Sequence, residues 1–226
     1  MPVFPVKTPQ LIQRLFSKYI WKKASLSKTI YLTFDDGPTP EITQWTLDLL
    51  KQHNAKATFF CIGHNIEKHP DIFNAILKEN HTVGNHTYNH LQGWKTNTKT
   101  YIENTEKTQN IINSKIQKQN SKNSSENLEF KDWNLKLFRP PFGKIKRSQA
   151  KILIKKGYNI VMWSVISYDW ERKITPEKCL ENVLKNTTSG SIVVFHDSIK
   201  ACKNMQYALP KVLEHFSQKG YQFKSL

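Results

Sequence analysis

The sequence contains few cysteines and no long apolar run, and both absences exclude classes of protein. Three cysteines in 226 residues, Cys61, Cys179 and Cys202, are too few and too widely spaced for a disulfide framework or a C-x-x-C metal knuckle. The longest purely apolar runs have only a few residues, so no membrane-spanning helix is predicted. The N-terminus shows no apolar core or cleavage site of a signal peptide, and we expect a protein that is cytoplasmic or peripheral to the membrane.

Acidic residues are scarce relative to basic ones. There are 34 Lys and Arg residues against 18 Asp and Glu, a formal net charge of +16, which favours contact with a polyanion. The basic residues are scattered and form no recognisable nucleic-acid-binding motif, so no nucleic-acid partner is expected. Hydrophobic residues make up 38% of the chain and aromatic residues 12%, which is enough to bury a sizeable core.

Short apolar runs alternate with stretches of helical periodicity. The predicted strands are 31–34, 57–62, 83–84, 135–138, 159–165, 192–195 and 220–223. The predicted helices are 41–53, 67–80, 98–112, 147–156, 176–186 and 205–219. This alternation predicts an α/β fold in a single domain, with a parallel sheet or a β/α barrel.

Two segments depart from the alternation. Residues 1–28 are predicted to be an N-terminal extension whose apolar positions from 11 to 20 form a basic amphipathic helix, which packs on the domain or contacts a membrane surface peripherally. Thirteen of the fifteen residues in 113–127 are Asn, Ser, Lys or Gln, so a flexible polar loop is predicted over about 113–134.

Adjacent carboxylates and paired histidines suggest a metal site. Asp35 and Asp36 follow a strand, where a cation or a basic group would offset their repulsion, although acidic turns of this kind are also common on surfaces. His86 and His90 are four residues apart, so on a helical turn both rings would share one face, but they could also lie on a solvated turn. Two histidines and one carboxylate can bind a catalytic metal and leave a coordination position open.

Further polar residues follow other strands. Arg139, Asp169 and His196 each lie at or just beyond a predicted strand end. In a β/α barrel such ends converge on one face.

Five motifs give the chain a specific resemblance. They are TFDDGP (33–38), HTYNH (86–90), RPPFG (139–143), SYDW (167–170) and VVFH (193–196). In this order they resemble the polysaccharide deacetylases of the NodB-homology type, carbohydrate esterase family 4. The resemblance covers residues 29–226 apart from the polar loop, and it implies a distorted, incomplete (β/α) barrel as the catalytic domain.

The resemblance also implies residue roles. Asp36, His86 and His90 would bind a divalent metal, most often zinc, with cobalt or nickel as alternatives. Asp35 would be the general base, oriented and kept ionised by Arg139. His196 would be the general acid, tuned by Asp169.

The remaining implied residues contact the substrate: Pro140, Phe142, Trp170 and Val194. The backbone N–H of Phe142 would stabilise the oxyanion. Two positions depart from the family pattern, since Phe142 replaces the usual tyrosine and Ile166 replaces an earlier aspartate of the fourth motif.

The expected function is removal of acetyl groups from N-acetylated amino sugars of a glycan, by a monomer. Peptidoglycan and chitin-like oligomers both fit as the acetylated glycan partner. An O-acetyl esterase acting on xylan and a non-catalytic glycan-binding relative remain alternatives.

Overall fold

A computed structural model describes residues 5–24, 27–122 and 136–226, and its centre is a parallel sheet. The strands are β1 Thr29–Asp35, β2 Ala57–Cys61, β3 Thr82–Asn85, β4 Lys136–Phe138, β5 Tyr158–Ile160, β6 Val165–Ile166, β7 Ile192–His196 and β8 Gln222–Phe223. Their order is β5-β4-β3-β2-β1-β7-β6, with β8 pairing beside β1. Every pairing between these strands is parallel.

Helices connect most of the strands. They are α1 Gln10–Leu15, α2 Ile42–Gln52, α3 Gly63–Lys68, α4 Pro70–Lys78, α5 Thr98–Lys122, α6 Arg147–Lys155, α7 Pro176–Asn186 and α8 Cys202–Gln218. The curled parallel sheet with these helices is an incomplete (β/α) barrel, which confirms the predicted fold class.

Alternation along β1 explains how the barrel faces its site. All seven β1 residues are buried. Ile30, Leu32 and Phe34 join the core between sheet and helices, whereas Tyr31 joins a second core inside the barrel. Because side chains alternate across a strand, Thr33 and Asp35 share the inner face with Tyr31. Asp35 therefore enters the barrel at the carboxyl end of its central strand.

The predicted N-terminal helix is too long. Helix α1 ends at Leu15, and the backbone N–H of Ile20 donates to the Ile160 carbonyl at 2.8 Å. The N–H of Thr8 donates to the Ser164 carbonyl at 2.9 Å. Since β5 and β6 are the sheet's two ends, the segment lies in the opening of the barrel, where extended backbone is needed to pair. Leu11 remains exposed, and peripheral membrane contact stays a prediction.

The predicted polar loop begins too early. Helix α5 continues to Lys122, so residues 113–122 are helical rather than a loop. Ile112 and Ile116, four residues apart, are buried and anchor one face of the helix, while polar residues such as Asn113 and Lys118 are exposed on other faces. The rest of the predicted loop lies outside the described residues.

The strand predicted over 159–165 is two short strands, β5 and β6. Between them, the carbonyls of Val161 and Met162 accept hydrogen bonds from Arg139, and that of Trp163 accepts one from Thr8. These non-strand partners explain the interruption.

Across the described parts of the chain, no helix is both long and apolar enough to cross a membrane.

Candidate metal centre and catalytic site

Carboxyl-terminal strand ends bring the predicted polar residues to one place. Asp35 ends β1 and pairs in register with His196, which ends β7. His86 directly follows β3, and Arg139 directly follows β4. Parallel strands carry their carboxyl ends to one edge, so residues far apart in sequence converge there.

Asp36, His86 and His90 form a possible metal site. Their ligand atoms all lie within 4.8 Å of one another. Asp36 Oδ1 is 3.2 Å from His90 Nε2 and 3.7 Å from His86 Nε2. One carboxylate oxygen and two imidazole nitrogens are a suitable donor set for a catalytic divalent ion.

Hydrogen bonding supports this assignment. Asp36 Oδ1 is buried and has no hydrogen-bond partner among the described residues, although burying such an atom without compensation is costly. His86 Nδ1 lies 2.7 Å from the Arg139 carbonyl, and since a carbonyl only accepts, Nδ1 carries the proton. Nε2 of His86 is then left with a lone pair facing Asp36. A bound cation would satisfy both atoms, so the residues fit a metal.

Both histidines favour the neutral form that a metal requires. Burial lowers the pKa of His86 to about 3, with a further decrease from neighbouring His90. Burial also lowers the pKa of His90, although Asp36 opposes this. Neutral imidazoles offer the lone pairs through which a cation is bound.

The expected helical turn between the histidines is absent. Residues 86–92 form a loop in which Thr87 and His90 have positive φ values of 63° and 59°. His86 is held there because its N–H donates to the Cys61 carbonyl at 2.9 Å. The rings converge, with centroids 5.1 Å apart, through this loop.

Asp35 is paired with Arg139 inside the barrel. Arg139 Nη1 lies 2.7 Å from Asp35 Oδ1 and 2.7 Å from Thr33 Oγ1. Arg139 Nη2 donates to the Met162 carbonyl at 3.0 Å, and its guanidinium lies 4.1 Å from the Phe60 ring centroid. Burial lowers the pKa of Arg139, which the Asp35 charge opposes. This network restricts Asp35 to one orientation.

His196 and Asp169 form a second pair. Asp169 Oδ1 lies 2.9 Å from His196 Nδ1, and Asp169 Oδ2 accepts from the His196 backbone N–H at 2.7 Å. A carboxylate only accepts here, so Nδ1 carries a proton and Nε2 faces away from Asp169. Burial alone would lower the pKa of His196, but the charge of Asp169, supported by the carboxylates of Asp36 and Asp35, raises it to about 9. The imidazole can therefore hold a proton at neutral pH.

Aromatic rings lie against both sides of this arrangement. The Phe142 ring centroid lies 4.5 Å from that of His90, and the Trp170 centroid lies 4.5 Å from that of His196. Phe142 is 52% exposed, which suits a substrate-contacting wall.

The other two predicted substrate contacts are buried. Val194 is 1% exposed and lies on the inner face of β7, two residues before His196, so it packs beneath the site. Pro140 is also buried, and its carbonyl accepts from the Gly143 N–H at 2.9 Å, which supports the turn that carries Phe142.

Backbone strain is concentrated in the motifs. Asp36, Thr87, His90, Phe142 and Tyr168 have positive φ angles between 59° and 81°. Such conformations cost non-glycine residues roughly 1–3 kcal/mol each and persist when surrounding contacts impose them. One such contact is the Asn65 side chain, which donates to the Asp36 carbonyl at 2.7 Å.

Asp197 hydrogen-bonds to the turn that follows Asp35 and Asp36, a role that the sequence motifs did not establish. Asp197 Oδ1 accepts from the Gly37 N–H at 3.1 Å, and Oδ2 lies 2.5 Å from Thr43 Oγ1. A Cβ added to Gly37 would meet Oδ2 at 2.0 Å, so only glycine allows this approach. Burial raises the pKa of Asp197 to about 8. In the sequence, the only signal for a role of Asp197 was its position directly after His196.

Replacement of Asp197 with asparagine should preserve the fold, because asparagine resembles the protonated carboxyl. The folded state holds a proton at Asp197 that the unfolded chain releases near pH 3.8. The binding of this proton therefore contributes fully to the free energy of unfolding below that pH, and the contribution is lost as the pH rises to about 8. Urea unfolding of the metal-free protein between pH 5 and 9, compared with Asp197→Asn, should isolate that dependence. Identical pH dependence in both proteins would contradict the expectation, and Asp197→Ala should cost about 1–3 kcal/mol throughout.

The fold and the site define an incomplete (β/α) barrel with a possible Asp-His-His metal centre, and comparisons identify its family. Residues 22–161 match the family model described as polysaccharide deacetylase. The chain belongs to the polysaccharide deacetylase family.

Two similar relatives from Bacillus cereus are named peptidoglycan-N-acetylglucosamine deacetylase. One is 36% identical over 198 residues, which cover 87% of this chain and 66% of the relative. The other is 38% identical over 210 residues, which cover 90% of this chain and 88% of the relative. The chain thus spans just under two thirds of the first relative.

A solved structure resembles almost the whole chain. It is a peptidoglycan N-acetylglucosamine deacetylase in complex with 4-naphthalen-1-yl-N-oxidanyl-benzamide. The TM-score is 0.82 at 33% identity, and the match covers 97% of this chain and 95% of the other.

Proposed function

We propose that this protein is a metal-dependent deacetylase that removes the acetyl group from N-acetylglucosamine residues of peptidoglycan. The observation that carries the proposal is the convergence of a possible metal site with two differently partnered polar pairs, Asp35–Arg139 and His196–Asp169. The relatives named peptidoglycan-N-acetylglucosamine deacetylase support the choice of glycan.

Asp36, His86 and His90 would hold the cation. When bound there, a divalent cation supplies Lewis acidity towards the acetamide carbonyl and the attacking water. Two imidazole nitrogens and one carboxylate oxygen suit zinc best, and cobalt or nickel can occupy a similar donor set.

Asp35 would act as the general base. It accepts a proton from the attacking water as the water oxygen bonds to the acetyl carbon. The guanidinium of Arg139, 2.7 Å away, keeps the carboxylate oriented and offsets the charge of neighbouring Asp36.

His196 would act as the general acid. Its Nδ1–H is committed to Asp169, so Nε2 donates the proton to the sugar nitrogen as the carbon–nitrogen bond breaks. The products are acetate and a free amine. The raised pKa, about 9, keeps this histidine protonated before the step.

Phe142 and Trp170 would flank the substrate, since each packs on a histidine of the site. The absence of the usual tyrosine hydroxyl at Phe142 should alter substrate contacts more than turnover, because the role proposed for this residue in the oxyanion interaction uses its backbone.

Acetate release tests the proposal. We expect the purified chain, stripped with chelator and reloaded with zinc or cobalt, to release acetate from N-acetylglucosamine oligomers and from peptidoglycan, and to lose that activity after chelation. Acetylated xylan serves as the O-acetyl comparison. Faster release from xylan would favour the esterase alternative. Glycan binding without release from any substrate would indicate a non-catalytic relative.

A further inference from the structure

Trp94 is a large aromatic residue with no packing role that the structure reveals. Its side chain is 58% exposed, and among the described residues it belongs to neither hydrophobic core cluster. The indole is nevertheless held in place, because Nε1–H donates to the Ile145 carbonyl at 3.0 Å. An exposed aromatic ring that is fixed in orientation offers a binding surface at little entropic cost.

Trp94 lies close to the catalytic site. It is part of a single 3-10 turn, Gly93–Lys95, only four residues after His90. The N–H of Gly93 donates to the Lys144 carbonyl at 3.1 Å, which docks this turn against the segment that follows Arg139. Phe142, which packs on His90, precedes Lys144 by two residues, a separation of at most about 7 Å along the backbone. The turn that carries the indole is thus attached to the loop that carries Phe142 beside His90.

A lysine side chain lies beside the Trp94 ring. Lys144 Nζ lies 5.5 Å from the centroid of the Trp94 ring, within cation–π range. Nearby, Lys146 Nζ donates to the Thr96 carbonyl at 2.8 Å and ties the two segments together. Lys146 is committed to a backbone carbonyl, so of these two lysines Lys144 is the one available beside the indole.

The surrounding sequence is rich in basic residues, of which Arg139 is paired with Asp35 and Lys156 with Glu106. The segments 91–102 and 139–156 contain no Asp or Glu. Their basic residues are Lys95, Lys99, Arg139, Lys144, Lys146, Arg147, Lys151, Lys155 and Lys156. Positive potential on this side of the site would attract an anionic substrate and raise its local concentration.

We propose that Trp94 and Lys144 form a subsite for a neighbouring sugar of the same glycan strand, one that carries a carboxylate. The apolar face of the sugar packs on the indole, and the carboxylate pairs with Lys144 Nζ. This inference rests on the proposed function. In peptidoglycan the sugar next to N-acetylglucosamine carries a lactyl carboxyl group or, where that group is amidated, a peptide that has carboxylates. A chitin-type chain has no such charge, so the subsite selects peptidoglycan.

Matched variants separate the two parts of the subsite. Lys144→Met keeps the aliphatic stem and removes the charge, whereas Lys144→Arg keeps the charge. Trp94→Ala removes the ring, whereas Trp94→Phe keeps an aromatic face. Lys224→Met is the control, since Lys224 is exposed and follows β8, which pairs with Thr29 and Ile30 at the opposite end of β1 from Asp35.

The zinc-loaded enzymes are assayed for acetate release on three substrates of equal length. They are a neutral N-acetylglucosamine oligomer, a peptidoglycan glycan strand, and the same strand with its carboxyl groups esterified. Lys144→Met should raise KM at least about fivefold for the charged strand only, with kcat unchanged, and esterification should raise the wild-type KM by a similar factor. Trp94→Ala should raise KM for all three substrates, and the Arg and Phe variants should retain most of the affinity.

Calorimetric binding of the same three glycans provides a readout that does not need turnover. Loss of affinity for the charged strand but not for the neutral oligomer in Lys144→Met, together with loss for all three glycans in Trp94→Ala, supports the subsite. Equal KM and equal affinity in Lys144→Met, Trp94→Ala and Lys224→Met overturn it, even where the wild type is fully active. Failure of the wild type to release acetate from any substrate contradicts the proposed function instead, and the binding comparison still decides the subsite.

Discussion

Replacing Asp35 with asparagine should lower kcat by about a thousandfold while zinc binding is retained. A positioned general base typically contributes 10²–10⁴-fold to rate, and asparagine cannot accept the proton of the attacking water. The proposed metal ligands Asp36, His86 and His90 are unchanged in this variant. Metal content by mass spectrometry and acetate release, measured on the same preparation, check both halves of the expectation.

Asp36→Ala is the matched comparison, one residue further along the chain. It removes a proposed ligand atom that lies 3.2 Å from His90 Nε2, so metal affinity and activity should fall together. Excess zinc should restore part of the activity of Asp36→Ala and none of that of Asp35→Asn. Equal loss of metal in both variants would show that the two carboxylates do not divide the roles in this way.

The folded state of Asp35→Asn must be measured together with its activity. Asp35→Asn leaves the buried guanidinium of Arg139 without its carboxylate, and breaking a buried pair commonly costs about 3–5 kcal/mol. Thr33 Oγ1 and the carbonyls of Val161 and Met162 remain as acceptors, which limits the loss. Circular dichroism at the assay temperature establishes that the inactive variant is folded.

The second large effect is expected at His196. His196→Ala should lower kcat by roughly 10²–10⁴-fold, because it removes the proposed proton donor to the departing amine. Substrates with a better leaving group need less proton donation, so an activated anilide of acetate should be affected less than the natural amide. Equal losses on both would argue that His196 acts through structure or substrate binding.

Asp169→Asn should reveal the cause of the raised histidine pKa. With Asp169 charged, the pKa of His196 is about 9, so the protonated form disappears, and kcat falls, as the pH rises towards that value. A cation bound at the neighbouring site would itself lower the pKa of His196. Removal of the Asp169 charge should lower that pKa further, whether or not the cation is bound. The alkaline limb of the kcat profile should therefore move to lower pH in Asp169→Asn. An unchanged limb would contradict the pairing, and Glu171→Gln, at a partly exposed residue two positions after Asp169, provides the control.

The sequence predicted the fold class and contained the five motifs in recognisable form, because both depend on short local stretches of residues. Apolar runs such as Ala57–Cys61 and periodic stretches such as Ile42–Gln52 match the observed elements closely. Predictions failed where distant partners decide the structure. Residues 16–20 have helical spacing, yet Ile20 is extended because the Ile160 and Met162 backbones pair with it.

Helix α5 shows a different kind of failure. Its last turns are almost entirely polar, and only the burial of Ile112 and Ile116 distinguishes them from a loop. Composition averages over all faces of a helix, whereas packing depends on one face.

The sequence by itself determined which residues could carry the chemistry, since a carboxylate pair, two histidines, an arginine and a further histidine lie at or just beyond strand ends. Only the tertiary structure decided which role each of the two adjacent carboxylates takes. Asp36 faces the two imidazoles, while Asp35, one residue earlier, points into the barrel towards Arg139. The physical reason is that β1 ends between them: Asp35 still follows the alternation of the strand, and Asp36, at φ 81°, has left it. Tertiary structure also placed Trp94 and Asp197, which no motif identified, beside the site.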